Sequence, residues 1–272
     1  MKLEKSSNFK LKKLYLDCID ESGNCFIIYR ACLKFYFIKV AYSALLFSDF
    51  QNKITEKTKL RKIGQPLING KFLFYDNRFL KISGSWQRID DPVFITLFKD
   101  QKGEKLTWNC HHSKALTKIE YGGKVFKGLG YAETLYLPVK PWKLPVQEIK
   151  WGRFLSEFYT VIWIHWKGEY PVNKIFCNGA LYEDAVFEED KILFNKGNYN
   201  LSFQERHVLR EGPLTKVLSN IFFLEIMLKS CIFSIYERKL KAKAILNCGG
   251  DKSFNGWALY ETVTWGNGKN WQ

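Results

Sequence analysis

Tyr131 and Glu133 are the residues of this sequence whose types and spacing best suit acid chemistry. They end the segment Gly128-Leu129-Gly130-Tyr131-Ala132-Glu133, whose other residues are glycine or apolar. A carboxyl group in apolar surroundings has a raised pKa, because burial disfavours its charged form, and a neutral carboxyl near pH 7 can act as a general acid. The structural alternative is that Glu133 accepts backbone hydrogen bonds or pairs with Arg153.

Two residues further along the chain are candidates for lining a ligand pocket. On an extended segment Trp163 and His165 share one face, because side chains alternate along a strand. A hydrogen-bonded core histidine is the alternative for His165. The adjacent His111 and His112 point to opposite faces of a strand and make a poor metal site. With no phosphate loop and no Gly-x-Ser-x-Gly motif in the sequence, we expect no metal and no cofactor.

The charge of the chain limits its partners. Among 272 residues 42 are basic and 27 acidic, which gives a formal net charge of +15. A solvated basic surface is the simplest explanation, and an anionic membrane surface is the sharper alternative. Nucleic-acid proteins concentrate their charge in a stripe or a known motif, whereas the lysines here are scattered apart from Lys10, Lys12 and Lys13 and the run from Arg238 to Lys243. We expect no nucleic-acid partner.

Cysteines and apolar runs bear on the compartment. The seven cysteines include no Cys-x-x-Cys pair, so we interpret them as free thiols in a reducing compartment. Residues 1–13 lack the apolar segment of a signal peptide. The runs Leu33–Phe47 and Ile221–Tyr236 are too short and too charged to span a bilayer. These features predict a cytoplasmic protein, with peripheral attachment to a membrane as an alternative.

Short extended segments separated by turns run through most of the chain. Asp20–Asn24 and Asn69-Gly70 are typical turn sequences between apolar runs, and turn signals recur at roughly 8–12-residue intervals, as in sandwiches and barrels. Aromatic residues make up 17% of the chain and favour strands. The pattern predicts an all-β protein. Leu214–Ser234 is the best helix candidate, with a further strand as the alternative.

A cluster of prolines marks the predicted domain boundary. Pro138, Pro141 and Pro145 interrupt strand pairing, because proline has no backbone N–H to donate. We therefore predict two consecutive antiparallel β-barrels, at 1–137 and 147–272, joined by a Pro-rich connection at 138–146.

An internal repeat supports two similar barrels. The segment Gly128–Thr134 has an imperfect partner in Gly256–Thr262, and the two starts differ by 256 − 128 = 128 residues. A second match joins Tyr15-Leu16-Asp17 to Trp151-Gly152-Arg153, with 151 − 15 = 136. Two offsets near half the chain length indicate duplication, and chance is the alternative. A unit of this length suits an eight-stranded barrel. The repeat makes Glu261 the counterpart of Glu133, which favours a structural, paired role for both.

The segment Gly128–Glu133, the Pro-containing linker and the following Trp151-Gly152-Arg153-Phe154 resemble the tandem lipocalin-like superfamily. That superfamily includes carotenoid 1,2-hydratase (hydroxyneurosporene synthase), tocopherol cyclase, AttH-like proteins and fungal pericyclase-like enzymes. Its hallmark is Gly-x-Gly-Tyr-x-(Asp/Glu) at the end of the first barrel. The resemblance implies two lipocalin-like barrels and an apolar ligand such as an isoprenoid or lipid.

The resemblance also implies roles for individual residues. By position Trp108 matches the family's tryptophan, Tyr131 its tyrosine and Glu133 its acid, whereas the position of the family's histidine holds Leu106. The acid of a carotenoid hydratase protonates an alkene, and aromatic faces stabilise the cation. Three functions follow as alternatives. They are binding of an apolar molecule in a barrel pocket, a hydratase, cyclase or isomerase with Glu133 as acid, and a structural or interaction protein with filled barrels.

Overall fold

Two compact units follow one another along the chain and divide between Leu144 and Pro145. The structure, a computed structural model, describes residues 9–60, 65–213, 235–250 and 252–266. Apart from a 3₁₀ helix at Pro141–Lys143, all regular structure in these ranges is antiparallel strand. The predicted all-β fold is therefore confirmed, while the helix predicted at 214–234 lies outside the described residues.

The first unit is one curved sheet. Its described strands are β1 (Phe9–Asp20), β2 (Cys25–Phe35), β3 (Ile38–Ser48), β4 (Ile54–Lys59), β5 (Leu67–Asn69), β6 (Phe72–Asn77), β7 (Ile82–Arg88), β8 (Val93–Lys99), β9 (Lys105–Tyr121) and β10 (Lys124–Leu137). They pair in the order β4-β3-β2-β1-β10-β9-β7-β6-β5, and β8 also pairs with β9.

The second unit repeats this arrangement. Its described strands are β11 (Glu148–Leu155), β12 (Thr160–Lys167), β13 (Val172–Cys177), β14 (Ala180–Tyr182), β15 (Val186–Phe187), β16 (Lys191–Phe194), β17 (Tyr199–Pro213), β18 (Ile235–Cys248) and β19 (Ser253–Trp265). Their order is β14-β13-β12-β11-β19-β18-β17-β16-β15. This matches the first unit strand for strand once β8 is set aside, as duplication requires.

Each sheet encloses its own apolar core. In the first unit the core includes Leu16, Phe26, Ile28, Trp86 and Ala132, all at most 1% exposed. The core of the second unit is equally closed, and its members include Phe154, Val161, Trp163, Phe194 and Leu246. Alternation along the strands therefore gives every strand one face toward the core of its own unit and one face away from it.

Two glycines show why the repeat is visible in the sequence. A Cβ on Gly128 would lie well inside van der Waals contact of the Ile19 carbonyl, and a Cβ on Gly256 would do the same to the Leu155 carbonyl. Ile19 and Leu155 differ by the same 136 residues as Tyr15 and Trp151. Both units therefore join their first and last strands with a backbone approach that only glycine permits.

Candidate functional site

The register of the sheets places Glu133 and Glu261 at equivalent points. Glu133 on β10 lies opposite Tyr15 on β1, and Glu261 on β19 lies opposite Trp151 on β11. On the other side, Glu133 is paired with Cys110 and Glu261 with Lys239. The strand topology thus gives both glutamates the same setting, while the neighbouring side chains differ.

Three of the predicted site residues meet in the first unit. The hydroxyl of Tyr131 and the indole Nε1 of Trp108 both donate to Glu133 Oε2, each at 2.5 Å. Tyr131 and Trp108 are fully enclosed, and Glu133 is 9% exposed. Both bonds end on Oε2, so Oε1 is the oxygen that carries the proton when the carboxyl is neutral.

Burial controls the charge of this carboxyl. It raises the pKa of Glu133 above the usual range, and the hydrogen bonds from Tyr131 and Trp108 oppose that rise because they stabilise the carboxylate. The positive charge of Lys13 also lowers the pKa, and the negative charge of Asp17 raises it. The net direction is upward, which favours the neutral acid relative to an ordinary glutamate.

Asp17 and Cys110 complete the group of side chains around Glu133. Asp17 is fully buried on β1 opposite Tyr131, and Cys110 is fully buried on β9 opposite Glu133. Burial raises the pKa of the Cys110 thiol, and the Glu133 charge raises it further. Burial likewise raises the pKa of Tyr131. We call Asp17, Trp108, Cys110, Tyr131 and Glu133 the Glu133 cluster.

The Glu133 cluster lies on the face of the sheet that points away from the core of the first unit. Ala132 and its partner Leu16 belong to the core of the first unit. Tyr131 and Glu133, on either side of Ala132, point to the opposite face of the sheet, because neighbouring side chains alternate. The sequence pattern gives the period of a strand but does not show which of two apolar faces encloses the core.

The equivalent site in the second unit is an ion-pair network. Lys239 is 3% exposed and contacts the carboxylates of Glu261, through Oε2, and of Glu237, through Oε1 at 3.3 Å. Arg210 lies 3.6 Å from Glu237 Oε2. The structural pairing predicted for Glu261 is thus with Lys239. Arg153 donates from Nη1 to the Trp257 carbonyl at 3.0 Å, and its predicted pairing with Glu133 stays a prediction.

A cavity of about 200 Å³ lies within the second unit, next to its core. Trp163, Phe203 and Tyr260 line it and contact one another, with ring centroids 4.7 to 6.1 Å apart. The buried side chains of Ile192 and Leu240 also line it. One side of the cavity wall is therefore aromatic and aliphatic.

Charged residues also line this cavity. Arg206 lies 3.7 Å from Glu189, and Arg238 lies 3.8 Å from Glu211. Burial raises the pKa of Tyr260, and the charges of Arg206 and Arg238 oppose that rise. The Arg206 guanidinium also lies near enough to the Tyr260 hydroxyl oxygen to lower the pKa of Tyr260 through a hydrogen bond. The cavity thus combines an apolar side with charged residues and a tyrosine hydroxyl that lies beside Arg206.

His165 lies beside this cavity but does not line it. Its ring stacks on Phe187, a lining residue, with centroids 4.4 Å apart and planes 28° apart. Burial lowers the pKa of His165, with a smaller opposing effect from Asn173, so the neutral ring is favoured at physiological pH. His165 therefore contacts a residue of the cavity wall rather than the cavity itself.

No group of three or more His, Cys, Asp or Glu side chains in the described ranges is arranged to hold a metal ion. Within the same ranges, the structure contains no helix with the length and apolar character needed to cross a membrane.

Comparison with solved structures identifies the fold. The structure of CghA with Sch210972 superposes with a TM-score of 0.58 at 9% identity, covering 96% of this chain and 90% of that one. Kievitone hydratase from Nectria haematococca gives 0.55 at 9%, covering 96% and 90%. An AttH-like protein from Nitrosomonas europaea gives 0.55 at 7%, covering 97% and 95%. The chain shares their tandem fold.

These similarities confirm the lipocalin-like resemblance at the level of fold. The sequences of the neighbours have diverged so far that the likeness carries no residue roles with it. No family profile matches the chain, and no curated protein sequence matches it. The site must therefore be interpreted from the geometry of this chain.

Sequence reasoning missed part of both sites. Asp17 carried a usable signal, because an acid inside the apolar run Leu14–Ile19 must be buried with partners. Cys110 gave no signal apart from its position in a strand. Phe203, Tyr260 and Arg206 line the cavity through strand pairing that no local pattern reveals.

Proposed function

We propose that the second unit binds a small, mostly apolar molecule in the cavity beside Trp163. The observation that carries this proposal is the cavity itself, with its aromatic wall and the Tyr260 hydroxyl. Pockets that enclose drug-sized ligands are about 300–1,000 Å³. A cavity of about 200 Å³ suits a ring-sized compound or the end of a longer isoprenoid or acyl chain.

The chemistry of the wall narrows the ligand further. Flat rings pack well against Trp163, Phe203 and Tyr260, and a ligand oxygen near Tyr260 would satisfy its buried hydroxyl. Opposite charges accompany one another along the wall, since Arg206 and Arg238 each lie near a glutamate. We therefore propose an uncharged, ring-containing ligand with at least one hydrogen-bonding oxygen.

Filling the cavity tests the binding proposal. Thr262 lines the cavity, and Thr262→Phe would occupy it, whereas Thr262→Val keeps the side-chain volume. Native mass spectrometry of purified wild-type protein should show a co-purifying small molecule, which Thr262→Phe loses and Thr262→Val retains. A wild-type protein that is empty in every preparation and takes up no ring-containing probe contradicts the proposal.

A second candidate function is acid catalysis by Glu133, in the manner of a hydratase, cyclase or isomerase. The observation that favours it is the enclosed carboxyl whose pKa is raised by burial, with Tyr131 and Trp108 fixing Oε2. A proton held on Oε1 can be donated to an alkene, and adjacent ring faces stabilise the cation that forms. Kievitone hydratase, a protein of the same fold, is named for a hydration reaction.

A test of the catalytic candidate separates chemistry from folding. A panel of alkenes is incubated with the protein in heavy-oxygen water, and label in an alcohol product reports hydration. Glu133→Gln should remove the labelled product and leave the melting temperature nearly unchanged. If wild type and Glu133→Gln form equal amounts of product, Glu133 is not the acid. If Glu133→Gln mainly unfolds the protein, its role is structural.

A further inference from the structure

The hairpin between β2 and β3 carries exposed aromatic side chains at its turn. We define the hairpin tip as residues Lys34–Lys39. Phe37 is 88% exposed and Tyr36 is 46% exposed. Monomeric proteins do expose single apolar residues. Two adjacent aromatic rings at the turn of a hairpin, one of them almost wholly in water, are more characteristic of an interaction surface.

The turn itself does not account for these rings. Tyr36 has φ of +55°, the left-handed region that favours glycine or asparagine. A bulky aromatic residue in that conformation strains the backbone. The fold alone would be more stable with a small residue at Tyr36, so the ring adds something other than turn formation.

Lysines lie side by side behind the tip. Lys10 on β1 is directly opposite Lys34 on β2, and Lys34 is directly opposite Lys39 on β3. Like charges opposite one another destabilise a sheet. Among the residues that the structure describes, no carboxylate forms an ion pair with Lys10, Lys34 or Lys39. A negatively charged partner would relieve this repulsion.

Packing on the other face of the sheet supports the tip. Phe9, Phe35 and Trp142 form a cluster of edge-to-face rings with centroids 6.0 to 6.3 Å apart. The ammonium of Lys140 lies 5.2 Å from the Phe35 ring and 5.3 Å from the Tyr36 ring. These contacts hold the tip in place, so Phe37 is presented on a supported element.

The surrounding chain is uniformly basic. Segments 9–14, 32–41 and 138–144 together contain seven lysines and no acidic residue. The seven are Lys10, Lys12, Lys13, Lys34, Lys39, Lys140 and Lys143. In the whole chain, by comparison, 42 basic residues are accompanied by 27 acidic ones. These segments therefore form a local region with seven of the 42 basic residues and none of the 27 acidic residues.

We propose that the hairpin tip docks the protein on the surface of an anionic lipid bilayer. Phe37 and Tyr36 enter the boundary between headgroups and acyl chains, and the lysines behind them contact anionic headgroups. A nucleic acid fits this geometry less well, because it requires cations along a groove that follows its backbone. Here the cations lie behind a projecting apolar tip. The proposal is independent of the cavity in the second unit.

Vesicle flotation with the full chain tests this surface. Phosphatidylcholine vesicles with phosphatidylserine should carry the wild-type protein upward, and pure phosphatidylcholine vesicles should not. At about 1 kcal/mol per lysine, Lys34→Gln combined with Lys39→Gln should weaken partitioning roughly 25-fold at low salt. Phe37→Ser should weaken it about tenfold, since the ring no longer enters the bilayer.

Matched substitutions elsewhere in the first unit serve as controls. Phe50 is 62% exposed in another turn, beside Asp49, so Phe50→Ser should leave vesicle binding unchanged. Lys99 and Lys102 flank Asp100 at the β8–β9 turn, and Lys99→Gln with Lys102→Gln should change binding less than twofold. Thermal unfolding of every variant should occur at or above the wild-type temperature, because these side chains are at the surface and the tip lysine substitutions relieve like-charge repulsion.

Three results would overturn the proposal. Wild-type protein that stays with the aqueous phase at low salt excludes docking on anionic lipid. Equal losses for the tip variants and the control variants would show that net charge, not the hairpin tip, governs binding. Binding to a single-stranded oligonucleotide that the tip variants abolish, with vesicle binding unaffected, would assign the tip to nucleic acid instead.

Discussion

Glu133 and Glu261 occupy the same place in two copies of one fold, and their surroundings have opposite character. Glu133 accepts hydrogen bonds from a phenol and an indole, with a thiol across the strand. Glu261 pairs with a buried lysine at the equivalent strand position. A scaffold of fixed register thus holds a carboxyl whose pKa is raised by burial in one unit and an ion-paired carboxyl in the other.

The difference indicates a division of roles between the units. The first unit has a cluster of titratable groups on the face of its sheet away from the core. In the second unit the carboxylates of Glu237 and Glu261 are paired with Lys239, and a cavity lies beside the core. Features common to both units, such as Gly128 and Gly256, belong to the scaffold. Features found in one unit are the candidates for function.

The largest expected effect comes from the shared glycines. Gly128→Ala and Gly256→Ala each force a methyl group against a backbone carbonyl, which cannot move without breaking strand pairing. Each should lower the free energy of unfolding by about 3 kcal/mol, measured by urea denaturation. Lys127→Ala and Asn255→Ala, on the same strands but exposed, are the controls and should cost little. If only one of the two glycine substitutions lowers the unfolding free energy by this amount, the two units do not share the same close approach between their first and last strands.

The second expected effect separates the two glutamates. Glu261→Gln removes the charge paired with Lys239 and leaves that buried lysine with Glu237. We expect a loss of about 2 kcal/mol in unfolding free energy at neutral pH. Glu133→Gln should show no comparable loss, because glutamine oxygen still accepts from Tyr131 and Trp108.

An exposed ion pair provides the control for this comparison. Glu205 pairs with Lys243 at 2.8 Å, and both side chains are more than half exposed. Glu205→Gln should cost at most about 0.5 kcal/mol. A similar cost for Glu205→Gln and Glu261→Gln would mean that burial adds nothing to the Lys239 pair.

The repeat and the strands were predictable from the sequence because they depend on local patterns. Turn residues such as Asp20 and Gly23 act within a few positions, with Asp20 Oδ1 accepting from Asn24 N at 2.9 Å and Gly23 at φ +88°. The counterpart relation of Glu133 and Glu261 followed from spacing alone. The Lys239 partner of Glu261 did not, because it depends on the pairing of β18 with β19.

The candidate sites were only partly predictable for the same reason. Trp108, Tyr131 and Glu133 were associated by resemblance, and the structure brings them into contact. Their position away from the core could not be deduced, since both faces of β10 are apolar. Trp163 was identified as a pocket residue from its strand, whereas Phe203 and Tyr260 reach the cavity only through long-range packing.

The third effect concerns the pH dependence of stability. Because burial raises the pKa of Glu133 in the folded protein, the folded state binds the proton more tightly than the unfolded state. The stabilisation that Glu133 contributes is fully present below its pKa in the unfolded chain, about 4.3. This stabilisation is lost as the pH rises through the higher pKa of Glu133 in the folded protein. Glu133→Gln cannot ionise, so its stability relative to wild type should increase with pH across that window.

Urea denaturation at a series of pH values measures this difference, with Glu205→Gln as the reference. A neutral carboxylic acid band in the infrared spectrum, present in wild type above the usual glutamate pKa and absent in Glu133→Gln, would report the same proton directly. A constant difference in stability between Glu133→Gln and wild type at all pH values would show that Glu133 ionises as an ordinary surface glutamate.

The smallest effect tests the hydrogen bonds that distinguish Glu133 from Glu261. The Tyr131 hydroxyl stabilises the carboxylate and so lowers the pKa of Glu133, against the larger effect of burial. Tyr131→Phe removes that donor, so the pKa should rise further and the pH window of Glu133 should extend upward. The unfolding free energy should fall by about 1 kcal/mol at low pH, where the acid is neutral in both states. Tyr236→Phe, which removes a hydroxyl that donates to Glu211 in the second unit, is the control and should leave the window unchanged. A downward movement of the window in Tyr131→Phe would mean that the tyrosine stabilises the protonated acid instead, and the contrast with the lysine-paired Glu261 would then rest on burial alone.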